Sequence, residues 1–328
     1  MIKIFLRKFF CRHIYQPKSK DWYQEKGYIG KDHYERFADF LTQQKKHAAV
    51  FYHEFKGLVL SRQFISSGKY FLDTVIISPS TDMPVAGLCF IFFQGKGEYY
   101  ELRFRDMAKQ CKETGASIVG FNPKGMGCSS GKTQTLSDIV EDGIALINYL
   151  LSNKISPDQI ILQGNSLGSA VQEMVSQHFK KQKGYIFRQI NSNSFKSVGA
   201  VIAHYYRLPF LEKILERIIR YSGWEIEIDK DYYTTGPHRC YLRRLNDRTI
   251  LPRAEYHTMI DHKRDYASCP DYFKETLAWL NAHNLLIYTG EKTKDPHEMS
   301  LHHFKVKPLP GDKSSFTVYQ FINRFIKS

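Results

Sequence analysis

Ser166 lies between two glycines in the run Gly164, Asn165, Ser166, Leu167, Gly168, at the point where the apolar stretch Ile160 to Leu162 ends. A serine hydroxyl is a weak nucleophile at neutral pH and needs a neighbouring base to take its proton. It also needs exposure toward a substrate. Glycines on both sides let the backbone turn sharply enough to lift the serine oxygen above the edge of a sheet, beside the free N–H groups and positive dipole of a following helix. The same five residues can also make an ordinary turn, so the elements on either side decide between the two readings.

Two other stretches invite chemistry and fail on spacing. In Gly125-Met126-Gly127-Cys128-Ser129-Ser130-Gly131-Lys132-Thr133, a phosphate-binding loop would need its first glycine at position 126, which is Met. His297 and His302 are five residues apart where a helical zinc motif needs four. On a helix of 3.6 residues per turn that spacing separates them by about 140°. The six cysteines, Cys11, Cys89, Cys111, Cys128, Cys240 and Cys269, are scattered singly. They read as free thiols of a reducing compartment, with no metal and no cofactor implied.

The elements needed to position Ser166 are legible. The segments 69–78, 86–95, 116–122 and 159–164 read as strands, the last three as buried ones, with helices expected over 98–113, 136–152 and 168–182. Thr135 or Ser137 would cap the second helix. Strands apolar on both faces that alternate with helices imply a mostly parallel central sheet covered by helices on both faces. Residues 184–191 fit a further strand. The amphipathic run Tyr205 to Trp224 falls in a stretch, 191–237, that interrupts the alternation as a helical, lid-like insertion. Last strands are expected at 238–247 and 284–290, with helices near 270–283 and 314–327. Residues 1–66 form a charged, aromatic and helix-patterned N-terminal extension ahead of the main domain, 67–328.

At this point the chain resembles the α/β-hydrolase superfamily of serine esterases, lipases and thioesterases. The resemblance rests on "GNSLG", on "FIFFQGKGE", which stands where the oxyanion loop follows the third strand, and on "ASIVGFNPKGMGCSSGKT", which is similar to the fourth strand and its loop. Gln94 and Lys124 replace the commoner His and Arg. A more distant likeness is to hydrolase-like proteins of intracellular bacterial pathogens. The resemblance implies an order of Ser, then acid, then His. "RRLNDRTILP" makes Asp247 the expected acid, with Asp229, Asp231 and Asp261 as alternatives. "PHEMSL" makes His297 the expected base, with His302 and His303 as alternatives. The N–H of Leu167 and that of Lys96 or Gly95 would hold the oxyanion. The activity implied is cleavage of an ester, thioester or amide through an acyl-enzyme, on a small-molecule or lipid acyl substrate.

Net charge is +14, and the first twenty residues carry six Lys or Arg and no acid. Such a surface favours anionic partners, among them a membrane, and no nucleic-acid fold signature accompanies it. A second reading, of a different class, is a catalytically inactive protein on this fold that binds an anionic membrane or a protein partner. No run of 18 apolar residues occurs, and the segment "MIKIFLRKFF" is too interrupted by basic residues for a secretory signal. The expected location is the cytoplasm, or outside the cell after delivery without a conventional signal peptide.

Overall fold

The computed structural model describes residues 2–15, 56–80, 87–229, 239–244, 285–289, 305–306, 316–317 and 322. Helix α1 (Ile2–Phe10) runs into a π turn at Cys11–Tyr15 whose Cys11, Ile14 and Tyr15 are buried. The hairpin of β1 (Leu58–Ser67) and β2 (Tyr70–Pro79) follows, antiparallel and paired along its whole length. The sheet thus begins at Leu58, upstream of the boundary expected at residue 66, because β1 has a partner that its own sequence does not announce.

β3 (Cys89–Phe93), β4 (Ser117–Phe121) and β5 (Ile160–Asn165) form the centre. Phe90, Ile91, Val119, Ile161 and Leu162 are fully enclosed. Each such side chain contributes about 1.5–3 kcal/mol from the removal of apolar surface from water. The connecting helices are α2 (Phe104–Thr114), which begins as a 3₁₀ turn at Tyr100–Arg103, and α3 (Leu136–Ser152). Thr135 caps α3, and its N–H donates to the Asp138 carboxylate at 2.8 Å. Helix α4 (Leu167–Lys183) follows β5 with a single residue between them, Ser166.

β6 (Arg188–Ser192) leads to two helices, α5 (Val198–Tyr205) and α6 (Glu212–Ser222), before β7 (Arg239–Arg244) rejoins the sheet. The helical insertion expected in this part of the chain is therefore present. β8 (Leu285–Thr289), β9 (Lys305–Val306) and β10 (Phe316–Thr317) complete a ten-stranded sheet among the described residues. Its order is β1-β2-β4-β3-β5-β6-β7-β8-β9-β10. The six strands from β4 through β3, β5, β6 and β7 to β8 are mutually parallel, so their carboxyl ends lie along one edge. Behind that edge a fully enclosed network ties α4 to β6 and β7. Arg239 donates to Glu173 at 3.2 Å, and Asn191 donates to the other oxygen of the same carboxylate at 2.9 Å.

Candidate active site

The turn at Ser166 is built by contact. A Cβ on Gly164 would stand 2.6 Å from the Ser169 nitrogen, and one on Gly168 would stand 2.1 Å from the Phe93 carbonyl oxygen. Neither position has room for any side chain, because α4 begins pressed directly against β5 and the end of β3. Between them Ser166 takes φ 52° and ψ −118°, a backbone region costly for a residue with a Cβ, by about 1–3 kcal/mol. The turn is held by hydrogen bonds that reach the neighbouring strand. The Ser166 N–H donates to the Ser192 carbonyl at 2.8 Å, and the Ser169 hydroxyl donates to the Gly164 carbonyl at 2.7 Å. Leu167 occupies the first position of α4, where a backbone N–H has no intrahelical acceptor.

The loop after β3 lies against this turn. Gln94 donates to the Phe121 carbonyl at 2.7 Å, which fixes the loop to β4 and gives the residue at this position a structural task that its side-chain amide performs well. The Gly95 N–H donates to the Glu98 carboxylate at 2.9 Å, and Glu98 in turn pairs with Arg103. Of the two loop donors expected from the sequence, Gly95 is thus committed within the loop in this arrangement, since a backbone N–H has one hydrogen to give. The Gly97 N–H donates to the Tyr15 carbonyl at 2.9 Å, tying the N-terminal turn to the same loop. A narrow cleft opens here, lined by Tyr15, Phe93, Phe121, Leu167 and Val171 on its apolar side and by Gln94 and Glu98 on its polar side.

Several buried polar atoms at this sheet edge have no partner among the described residues. They are Oε1 of Gln94, Oδ1 of Asn165, Oγ of Ser192 and both side-chain polar atoms of Asn193. Asn193 also has a left-handed backbone, φ 51°, which Asn tolerates better than most residues. These groups stand at the carboxyl ends of three adjacent strands, β3, β5 and β6. Asn193 was not among the residues expected from the sequence, although "NSNS", which runs from the end of β6 into the loop, is a recognisable turn signal.

Asp229, an alternative acid, does not come to the serine. Its carboxylate pairs with Lys181 and its N–H donates to Gln177 at 2.6 Å. Lys181 is fifteen residues beyond Ser166 along α4, about 22 Å at the rise of an α-helix. Asp247, Asp231, Asp261, His297, His302 and His303 lie outside the described residues. Their places in the chain are informative even so. Asp247 comes three residues after the carboxyl end of β7, and His297 comes eight residues after that of β8. Both strand ends are on the edge that carries Ser166.

Lys124 proves to be part of a buried staple rather than of the cleft. Its ammonium lies 3.3 Å from Asp142 and 3.2 Å from Glu141, while its N–H donates to Asp142 at 2.8 Å. Burial lifts the Asp142 carboxyl to about 6, against the opposing pull of the Lys124 N–H, the Lys124 charge and the Ser67 hydroxyl. The staple fixes the loop after β4, whose Pro123 lines the cleft.

Solved structures share this architecture. An alpha-beta hydrolase from Vibrio vulnificus aligns with a TM-score of 0.55 at 16% identity, covering 90% of this chain and 88% of its own. A Pyrococcus furiosus esterase aligns at 0.51 and 16% identity, with 82% of this chain and 90% of its own covered. An esterase/lipase from an uncultured bacterium aligns at 0.50 and 12% identity, covering 99% and 96%. No protein family and no curated protein matches the sequence. The chain has the α/β-hydrolase fold, and at these identities the likeness extends to the fold alone.

Proposed function

We propose that this protein is a serine hydrolase that cleaves an ester, thioester or amide through an acyl-enzyme. The observation that carries the reading is the strained backbone of Ser166 at the one-residue joint between β5 and α4, beside the loop after β3. Strain of this kind persists only where surrounding structure enforces it, and it is concentrated at functional sites. The enforcement here comes from Gly164 and Gly168.

In the proposed cycle His297 accepts the Ser166 proton as the hydroxyl oxygen attacks the carbonyl carbon. Asp247 orients the imidazole and stabilises its protonated form. The tetrahedral oxyanion receives the N–H of Leu167 and that of a loop residue, Lys96 or Gly95, the Gly95 N–H being engaged by Glu98 in this arrangement. His297 then gives its proton to the leaving group, and water attacks the acyl-serine by the same route in reverse. The apolar side of the cleft, Phe93, Phe121, Leu167 and Val171, includes the residue after Ser166, and in this arrangement it has room for about one water molecule. The inserted helices α5 and α6, between β6 and β7, are proposed as the lid over it.

Labelling with a fluorophosphonate probe tests the reading. The purified protein should label, and Ser166→Ala should abolish it. An unlabelled protein, or labelling that survives the substitution, overturns the assignment.

A further inference from the structure

Helix α1 carries more apolar surface than the fold buries. At about 100° per residue, Ile2, Phe5, Leu6, Phe9 and Phe10 form one broad arc. Phe10 at one side of the arc is buried, whereas Phe5 is 65% exposed and Ile2 is 73% exposed. Helix α6 repeats the pattern. Ile219 is enclosed, and on the same apolar arc Ile214, Ile218 and Tyr221 face solvent. The two helices pack beside each other, and the Lys3 ammonium lies 5.2 Å from the centre of the Tyr221 ring. Lys3 lies beside Phe10 on α1, so the contact joins the cationic border of the first helix to the exposed arc of the second.

The border of this face is cationic. Lys3 and Lys8 are exposed on α1, Arg12 on the turn that ends it, and Lys213 and Arg217 on α6. Among the described residues nearby acids are few and partly engaged: Glu212 pairs with Lys196 and His204, Glu227 lies 3.9 Å from Arg220, and Glu216 is half-buried. A self-interface through this face would set cations against cations with too few carboxylates to match them. Exposed Phe and Ile side chains bordered by Lys and Arg fit a surface that is apolar below and anionic above, which is a bilayer with acidic headgroups.

We propose that the exposed apolar arcs of α1 and α6, with their bordering lysines and arginines, form a single surface that docks on an anionic lipid membrane. The surface lies close to the cleft, because the turn that ends α1 places Tyr15 in its lining and Tyr15 packs 6.1 Å, ring to ring, from Trp224 just past α6. None of the described helices is long and apolar enough to cross a membrane, so attachment would be peripheral.

Co-sedimentation of the full chain with vesicles tests this, independently of any hydrolytic activity. Vesicles of phosphatidylcholine mixed with phosphatidylserine should bind the protein, added salt should weaken binding, and vesicles of phosphatidylcholine alone should bind far less. Phe5→Ser with Phe9→Ser, and separately Ile214→Ser with Ile218→Ser, should each lower the partition coefficient about tenfold or more. Lys3→Glu with Lys8→Glu should do the same on the mixed vesicles only. All of these side chains are exposed, and unchanged circular dichroism and melting temperature would show that each variant folds. Three results would each overturn the proposal: no binding to the mixed vesicles, binding that neither pair of serine substitutions reduces, or a solution dimer that those substitutions dissociate.

Discussion

The stretches Gly164 to Gly168 and Gly125 to Thr133 are both rich in glycine and serine, and the fold uses them in opposite ways. In the second, the polar groups are consumed internally. The Ser129 hydroxyl donates to the Asn122 carbonyl at 2.5 Å and accepts the Asp73 N–H at 2.8 Å. Ser130 exchanges a hydrogen bond with the Phe71 backbone in each direction, and the Thr133 hydroxyl donates to the Lys124 carbonyl at 2.7 Å. Around Ser166 the backbone is strained, and Asn165, Asn193 and Gln94 retain buried atoms without a partner among the described residues. An unpaired buried polar group costs about 1–3 kcal/mol, which a bound ligand's own polar groups can offset. The contrast separates a loop that holds the sheet together from a strained turn that is proposed to carry the chemistry.

The sharpest way to break this comparison is Ser166→Ala. It should lower kcat/KM on an activated ester by at least about 10³-fold while leaving the unfolding transition nearly in place. An active variant would reduce the turn to a structural feature. Gly168→Ala attacks the same turn through its packing. With the added carbon 2.1 Å from a backbone oxygen, β3 or α4 must move, and urea unfolding should show a loss of about 1–3 kcal/mol or more.

The opposite profile is expected of Ser129→Ala. Leaving the Asp73 N–H without its acceptor should cost about 1–3 kcal/mol of stability with kcat/KM unchanged. Asn193→Gly keeps a backbone compatible with φ 51° and removes no protein hydrogen bond, so stability should move by less than about 1 kcal/mol. If its side chain serves the substrate, kcat/KM should fall about tenfold. Unchanged kinetics would remove Asn193 from the site.

A pH-dependent effect concerns the staple beneath the second loop. Because Asp142 titrates in the folded protein near 6 rather than at its ordinary 3.8, the fold favours its protonated form. Its contribution to stability is full below about 4 and is lost as pH rises through about 6. Unfolding free energies measured across that interval should decline for the wild type and decline less for Asp142→Asn. An identical slope in the two proteins would place the pH dependence elsewhere.

Much of this was written in periodicity. The apolar runs at Ile160 to Leu162 and Phe90 to Phe93 announce enclosed strands, and the amphipathic segments between them announce helices, since burial on one face leaves a repeat that can be read locally. β1 itself was not legible, because a strand half-exposed along much of its length has a mixed pattern whose meaning comes from its partner β2. The alternative acid Asp229 could be set aside only once α4 placed Lys181 far from Ser166.

What the sequence by itself determined is the order of elements and the serine between two glycines, because helix and strand periods and the steric freedom of glycine are local properties. The tertiary structure decided that Gly164 and Gly168 have no space for a side chain, that Gly95 spends its donor on Glu98, and that α1 and α6 leave apolar surface side by side. Each of these depends on the distance between residues remote in the chain, and only packing sets that distance.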